Sequence, residues 1–517
     1  MERSATRSRL PHALAVLVLV IAGLLAHLAF LDEPLLEGAA GKQTHTAMIA
    51  RNLYRGRSTL LRPVVDDIGP PGYFVKELPL VPATAALLYG ATGGVNEAIG
   101  RLLSVAAWLV GAPVLFALLR RGSPVAEALV ATAWWIGAPL AFVYGRAFMS
   151  DAAMVTASAT ALLALARWRE TPSGGRAAAT AALVALALLL KPHAVFWLAP
   201  AALVLLASRA EDSSPWPGRR ATTTLAVTVA LGCALAAAWY LHAASVQRAF
   251  PAAGTTRLDG WFDAPSLLSP ALYGEILRQL VWMVFTPVGI VLAIAGVFAS
   301  GRAWSGLERA LLAWGAGVLA QCLVFNTRLF DDFARGTEYY QLAMVPVAGM
   351  LIARGAGVLL RLVPLSRPAL RPALGAAILF LLAGGAMHEI DAALAVPERY
   401  RRILDDCAIV QATTRPHDEL FVLADRGGTI LYYCDRRGST FVPARAVRRV
   451  FARADNVVGT KQLAAALDRA SYVYVPFPEL LGEGSPWLAM FEENFARVAT
   501  PGTEMRLYRR RGAARAG

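Results

Sequence analysis

Long uncharged stretches alternate along this chain with short clusters of arginine. A helix needs about 20 apolar residues to cross roughly 30 Å of hydrocarbon. Runs near that length, bounded by Arg, Lys or turn residues, occur eleven times. The first extends from about Leu10 to Leu31, and the others centre near residues 108, 133, 158, 183, 201, 231, 288, 317, 346 and 379. A basic tail precedes the first run, as in a signal peptide, but the run is too long for a signal core and lacks a small-x-small cleavage site. It reads as an uncleaved anchor. After about residue 388 the pattern changes. His417 to Arg436 reads as strand, turn, and helix or strand, and Lys461 to Ala470 as a short amphipathic helix feeding a strand from Ser471. The pattern predicts an all-α polytopic membrane protein of about 11 transmembrane helices over residues 1–387, with a first outer loop at 32–77 and a small α/β domain over 388–517.

Composition agrees. The 517 residues are 56% hydrophobic and 17% charged, where soluble domains carry about 25% charge. A soluble enzyme, a disordered chain and a disulfide-stapled miniprotein are excluded. A net charge of +14 would suit nucleic acid only if the basic residues shared one exposed face. They do not: 17 fall, against five acidic residues, in alternate loops that include Arg120, Arg167, Arg219, Arg302 and Arg361. Such loops face the cytoplasm. The amino terminus is then cytoplasmic, and an odd number of crossings puts the C-terminal domain outside. There, an oxidising compartment permits a bridge between Cys407 and Cys434.

Candidate chemistry collects on the outer side. Asp32 and Glu33 stand where the first helix meets water, the place for a general base and equally for an ordinary solvated helix end. Asp151 sits at the outer end of the fourth helix, where a charge is costly without a cavity or a partner; Arg146 is the expected partner. The segments Arg176–Leu190 and Ala194–Ser208 are too short to span. The turn Lys191-Pro192-His193 should therefore dip below the outer surface and hold an ammonium that suits a lipid-borne phosphate; a lysine snorkelling to headgroups is the competing reading. Arg257 in the 244–275 loop, and Tyr339 and Tyr340 in the 327–340 loop, fit sugar and phosphate contacts, as they fit solvated loops. His45 lies in a helical stretch of the first outer loop, and His45, His193 and His242 lack metal-ligand spacing.

With these pieces in place, the chain resembles the polyprenyl-phosphate-sugar-dependent membrane glycosyltransferases of the GT-C superfamily, in particular bacterial relatives of protein O-mannosyltransferases and the lipid A aminoarabinose transferase. The resemblance covers about residues 10 to 390. It rests on the acidic motif after the first helix, the stretch from Thr44 to Gly56 (Met-Ile-Ala-Arg-Asn-Leu-Tyr at its heart), Tyr73-Phe74 before Pro79-Leu80, Arg101-Leu-Leu-Ser, Tyr144-Gly-Arg with Asp151, Leu188-Leu-Leu-Lys-Pro, and Glu338-Tyr-Tyr. It implies a bacterial inner-membrane enzyme that moves a sugar from a polyprenyl-phosphate donor, with inversion, to a hydroxyl or amine of a protein, glycolipid or polysaccharide. No cofactor or metal is implied. Carried onto this sequence, the base is Asp32, Glu33 or the nearby Glu37. Lys191 and Arg146 contact the donor phosphate, and Asp151, His45, Arg257, Tyr339 and Tyr340 position donor or acceptor. The aminoarabinose branch shows Glu-Lys-Pro-Pro-Leu where this chain reads Val75-Lys-Glu-Leu-Pro-Leu, so Lys76 and Glu77 mark a departure. A transporter or flippase for a lipid-linked sugar is the alternative from another class, and a polysaccharide ligase or polymerase the alternative among enzymes.

Overall fold

The computed structural model describes residues 2–208, 218–250, 262–299, 301–326, 338–362, 370–424, 426–441, 457–481 and 486–512. The membrane part is built from α1 (Glu2–Leu28), α2 (Ala40–Tyr54), α3 (Leu80–Thr92), α4 (Glu97–Leu119), α5 (Val125–Gly137), α6 (Pro139–Gly145), α7 (Asp151–Glu170), α8 (Gly174–Leu190), α9 (Val195–Ala207), α10 (Arg219–Ala249), α11 (Pro270–Gln279), α12 (Pro287–Phe298), α13 (Gly306–Val324), α14 (Val345–Leu362) and α15 (Leu370–Leu394). Helix starts carry their signals. The Asn96 side chain accepts from Ala98 N ahead of α4, Ser173 caps α8, and Ser305 with Glu308 forms a capping box on α13.

Each of the eleven apolar runs is helical. Among the described residues six helices are long and apolar enough to cross a membrane, or eight if two bent pairs are each one span. In one pair α5 turns by 53° into α6; in the other, α11 turns by 91° into α12 through a π-helical turn, Leu280–Phe285, and Thr286 at φ 61°. The remaining three runs are α7, α8 and α9. The last two are short, as their spacing predicts. α7 carries Asp151 and Arg167, but most of its length is buried, and a helix walled by protein need not be apolar. α3 is an apolar helix that the sequence pattern did not anticipate.

In the interior, α7 packs against α4 and α8, α14 against α5 and α12, and α9 against α13. Trp108 and Trp135 stack at 4.1 Å, and each indole N–H donates to the other's backbone carbonyl at 2.9 Å, so neither buried N–H is left unpaired. Gly111 makes the room, since a Cβ there would lie 2.2 Å from Trp135. The outward faces show Leu17, Leu203, Leu231, Val291 and Phe298, an apolar surface a water-soluble monomer would not present.

Beyond α15, which continues through residue 388, come α16 (Glu398–Thr413), β1 (Glu419–Leu423), α17 (Gly427–Tyr433), β2 (Arg437–Phe441), α18 (Val457–Arg469), β3 (Tyr472–Val475), α19 (Pro486–Asn494), β4 (Phe495–Val498) and β5 (Arg506–Arg510). The strands form one mixed sheet, ordered β2-β1-β3-β5-β4, with β1 parallel to β2 and β3, and β5 antiparallel to β3 and β4. The sulfurs of Cys407 and Cys434 are bonded, which ties α16 to the end of α17.

The loop at 32–77 and this sheet share one core. Leu35, Met48 and Val65 pack with Ile403, Leu420 and Leu431. Backbone bonds join Gly69 N to Gly438 O and Gly438 N to Asp66 O, both at 2.8 Å. Arg51 donates to Tyr432 O and Asp66, Arg55 pairs through both nitrogens with Asp435, and Arg426 donates to Leu36 O.

Candidate active site

One face of α2 opens onto a pocket. Its polar residues could not all be buried without partners, and they divide by helical spacing: Gln43, Thr44 and Asn52 turn inward, while Lys42, His45, Thr46 and Ile49, at i, i+3, i+4 and i+7, line the pocket. Phe74, Lys76, Glu77, Pro79, Pro82 and Ser150 form the rest of its wall.

Two ion pairs stand together at this wall. Lys42 Nζ donates to Glu77 Oε1 at 2.6 Å, and Lys191 Nζ donates to both Asp151 oxygens at 2.7 Å. Lys191 also lies 4.9 Å over the Tyr339 ring, and Lys76 4.4 Å over Phe74. Burial opposes the charge on Glu77, but Lys42 and Lys191 outweigh it and hold the carboxyl well below its ordinary range. The same balance raises Lys42: burial lowers it, and Glu77 more than compensates. Lys191 itself is buried, as the short helices predict, with its side chain 4% exposed. The partner expected for Asp151 is corrected: it is Lys191, because Pro192 stops α8 beside the start of α7, whereas Arg146 leaves α6 toward the first loop.

There Arg146 meets Glu37 at 3.3 Å and donates to Phe30 O at 2.7 Å. Arg101, fully buried, grips both Glu37 oxygens at 2.7 and 3.0 Å and also donates to the carbonyls of Glu33 and Pro34. Burial raises the Glu37 carboxyl, but Arg101 and then Arg146 bring it below its ordinary 4.5. A carboxylate held by two guanidiniums is a poor proton acceptor, so the geometry goes against Glu37 as the base. Asp32 and Glu33 are exposed and do not line the pocket; Glu33 reaches Arg401 at 3.9 Å.

His45 lies on the pocket face, with Nε2 2.7 Å from Asp67 Oδ2. Tyr340 packs with Tyr339, His193 and Phe325, and Tyr144 donates to Glu338 at 2.8 Å. The pocket wall thus brings together His45, Lys76 and Glu77 from the sequence candidates, with Asp151, Lys191 and Tyr339 behind it. Arg146 and Glu37 form a separate cluster, and Arg257 lies outside the described residues. Sequence reasoning gave Lys42 and Arg101 no role in the site and read Asp66-Asp67 as a turn rather than a metal site. Lys42 and His45 are three residues apart in a predicted helix, and that spacing was the available signal; Asp67 had only its place in a turn.

Residues 76–240 match the family described as dolichyl-phosphate-mannose-protein mannosyltransferase. No protein with a curated description matches the sequence. Among solved structures, ArnT from Cupriavidus metallidurans in the apo state superposes with a TM-score of 0.60 at 14% identity over 98% of both chains, and the same protein bound to undecaprenyl phosphate gives 0.58 at 14% identity over 95% of this chain and 97% of that one. The archaeal oligosaccharyltransferase AglB from Archaeoglobus fulgidus, in complex with an inhibitory peptide and a dolichol-phosphate, gives 0.60 at 12% identity over 99% of this chain and 75% of that one. This chain is therefore a multi-span membrane protein that has the fold of ArnT and AglB and matches, over residues 76–240, the family of dolichyl-phosphate-mannose-protein mannosyltransferases.

Proposed function

We propose that this protein is an integral-membrane glycosyltransferase that takes a sugar from a polyprenyl-phosphate donor and passes it, with inversion, to a hydroxyl or amine of a protein, glycolipid or polysaccharide. The reaction takes place on the outer face of a bacterial inner membrane. The reading includes eleven crossings, with α7 walled by the other helices, and an outer C-terminal domain that covers the first loop. The observation that carries it is the pocket wall itself: Lys42 and Lys76 face the pocket, and Lys191 stands behind them at the break between α8 and α9.

A polyprenyl phosphate already leaves readily, so an enzyme has mainly to orient the acceptor, accept its proton and meet the charge that grows on the departing phosphate. Lysines in a protein-walled pocket do the last of these. The binding of undecaprenyl phosphate by ArnT and of a dolichol-phosphate by AglB supports the donor class. Residues 76–240, the part that matches the mannosyltransferase family, include Lys76, Asp151 and Lys191.

The test uses purified full-length protein in detergent with radiolabelled polyprenyl-phosphate hexoses and pentoses, and an envelope extract as acceptor. Label should leave the lipid and appear on acceptor, and Lys42→Gln should raise KM for the donor. Label that stays on the lipid with every sugar offered would overturn the assignment.

A further inference from the structure

We infer that His45 and Asp67 form the proton-accepting dyad of this site, with His45 as the catalytic residue and Asp67 as the positioning one. The inference rests on the glycosyl-transfer reading and names the group that removes the acceptor's proton.

Among the carboxylates near the pocket, Glu37 is held by Arg101 and Arg146, Asp151 by Lys191, Glu77 by Lys42, and Asp66 by Arg51, Asn52 and Arg437. Each is already matched by a cation. His45 differs. It lines the pocket, its side chain is about a quarter exposed, and its ring rests against Phe74 with centroids 4.8 Å apart. Its Nε2 lies 2.7 Å from Asp67 Oδ2, and Asp67 is 7% exposed with no cation among its bonds. With Asp67 ionised, Nε2 carries the proton toward it, which leaves Nδ1 as the basic nitrogen. Nδ1 has no hydrogen-bond partner among the described residues.

The surroundings keep this arrangement in place. Asp67 Oδ1 is buried without a hydrogen bond, so the carboxylate is oriented by its one bond to His45 Nε2. The start of α17 roofs the dyad with Gly428, where a Cβ would lie 2.4 Å from Asp67 Oδ2 and 3.4 Å from His45 Nε2. Only glycine fits there without displacing Asp67.

In the step itself, the acceptor oxygen or nitrogen forms its bond to the anomeric carbon as the bond from that carbon to the phosphate oxygen breaks, and the electron pair stays on the polyprenyl phosphate. The acceptor's proton passes to His45 Nδ1. Asp67 stabilises the resulting imidazolium, which returns its proton to water. A histidine oriented by a carboxylate in this way has a ring nitrogen aimed to accept a proton in the transition state.

The assay of label transfer from polyprenyl-phosphate sugars to envelope extract tests this. His45→Gln should lower kcat by about 100- to 10,000-fold, with donor KM and binding of undecaprenyl phosphate unchanged, and Asp67→Asn should lower kcat less. His45→Ala should regain activity with added imidazole, which a merely structural defect would not do. Gly428→Ala, which alters neither dyad residue, should lower kcat by displacing Asp67. If wild type transfers label while folded His45→Gln keeps the wild-type kcat, or if imidazole restores nothing to folded His45→Ala, the dyad is overturned and the transferase reading stands. If wild type transfers no label, both fall.

Discussion

Arg101 has no exposed surface, and it binds Glu37 and two backbone carbonyls of the loop that follows α1. Breaking a buried pair by removing one partner typically costs 3–5 kcal/mol, because the other charge stays behind. Arg101→Met should therefore lower stability by about that amount, read as a loss of thermal unfolding temperature in detergent. The depressed Glu37 carboxyl adds a pH term. Its contribution is present above the ordinary 4.5 and fades as pH falls through the lower folded value, so wild type should lose more stability on acidification than Arg101→Met does. Lys191 and Asp151 allow stability to be separated from function. Lys191→Met alone should destabilise, whereas Lys191→Met with Asp151→Leu, which removes both charges, should recover most of the unfolding temperature and still bind undecaprenyl phosphate poorly. The charged residues could be read in the sequence, since ionisable groups at membrane depth stand out. Their pairing could not, because Arg146 and Lys191 lie 5 and 40 residues from Asp151, and sequence distance favours the wrong one.

At the scale of elements, close backbone approach sets the packing of α12 against α14. A Cβ on Gly355 would lie 1.8 Å from Leu292 O, and one on Gly296 2.5 Å from Leu351 O. Small residues let membrane helices come this near. Gly355→Ala should force the two apart and cost roughly 1–3 kcal/mol, seen as a lower unfolding temperature, while Gly375→Ala, where a Cβ meets nothing within 4 Å, should leave it unchanged. Apolar length made the helices legible, and the shortness of α8 and α9 made the buried Lys191 turn legible too. The 91° bend before α12 was not: Thr286 takes a left-handed φ that no local pattern announces. α3 was hidden because its 13 residues fall below the length that marks a span.

At the scale of the whole molecule, the C-terminal sheet does not stand apart from the site. It supplies Gly428 above His45 and Asp67, and Tyr433, whose hydroxyl is met by Leu35 N and donates to Glu97. Truncation after Ala395 should strip the apolar cover from α2 and the 64–75 segment, and limited proteolysis should then cut within residues 40–75, which the full chain protects. The sequence showed that a separate α/β unit was present, since its strands and α18 follow ordinary periodicity. Its contact with the first loop rests on residues some 350–400 positions apart, such as Leu35 and Tyr433, and nothing in a single sequence links them.

That long-range contact bears on how the protein comes into being. The 32–77 loop leaves the ribosome early, while Gly428 and Tyr433 follow roughly 350–400 residues later. Between the two events α2 and the 64–75 segment have their own apolar faces but no sheet to bury them. On the proposed reading, the pocket is therefore completed only after α15 and the carboxy-terminal sheet are in place. A chain stalled in synthesis would hold the lysines without the roof over the dyad, and so would not reach donor lipid with a working site.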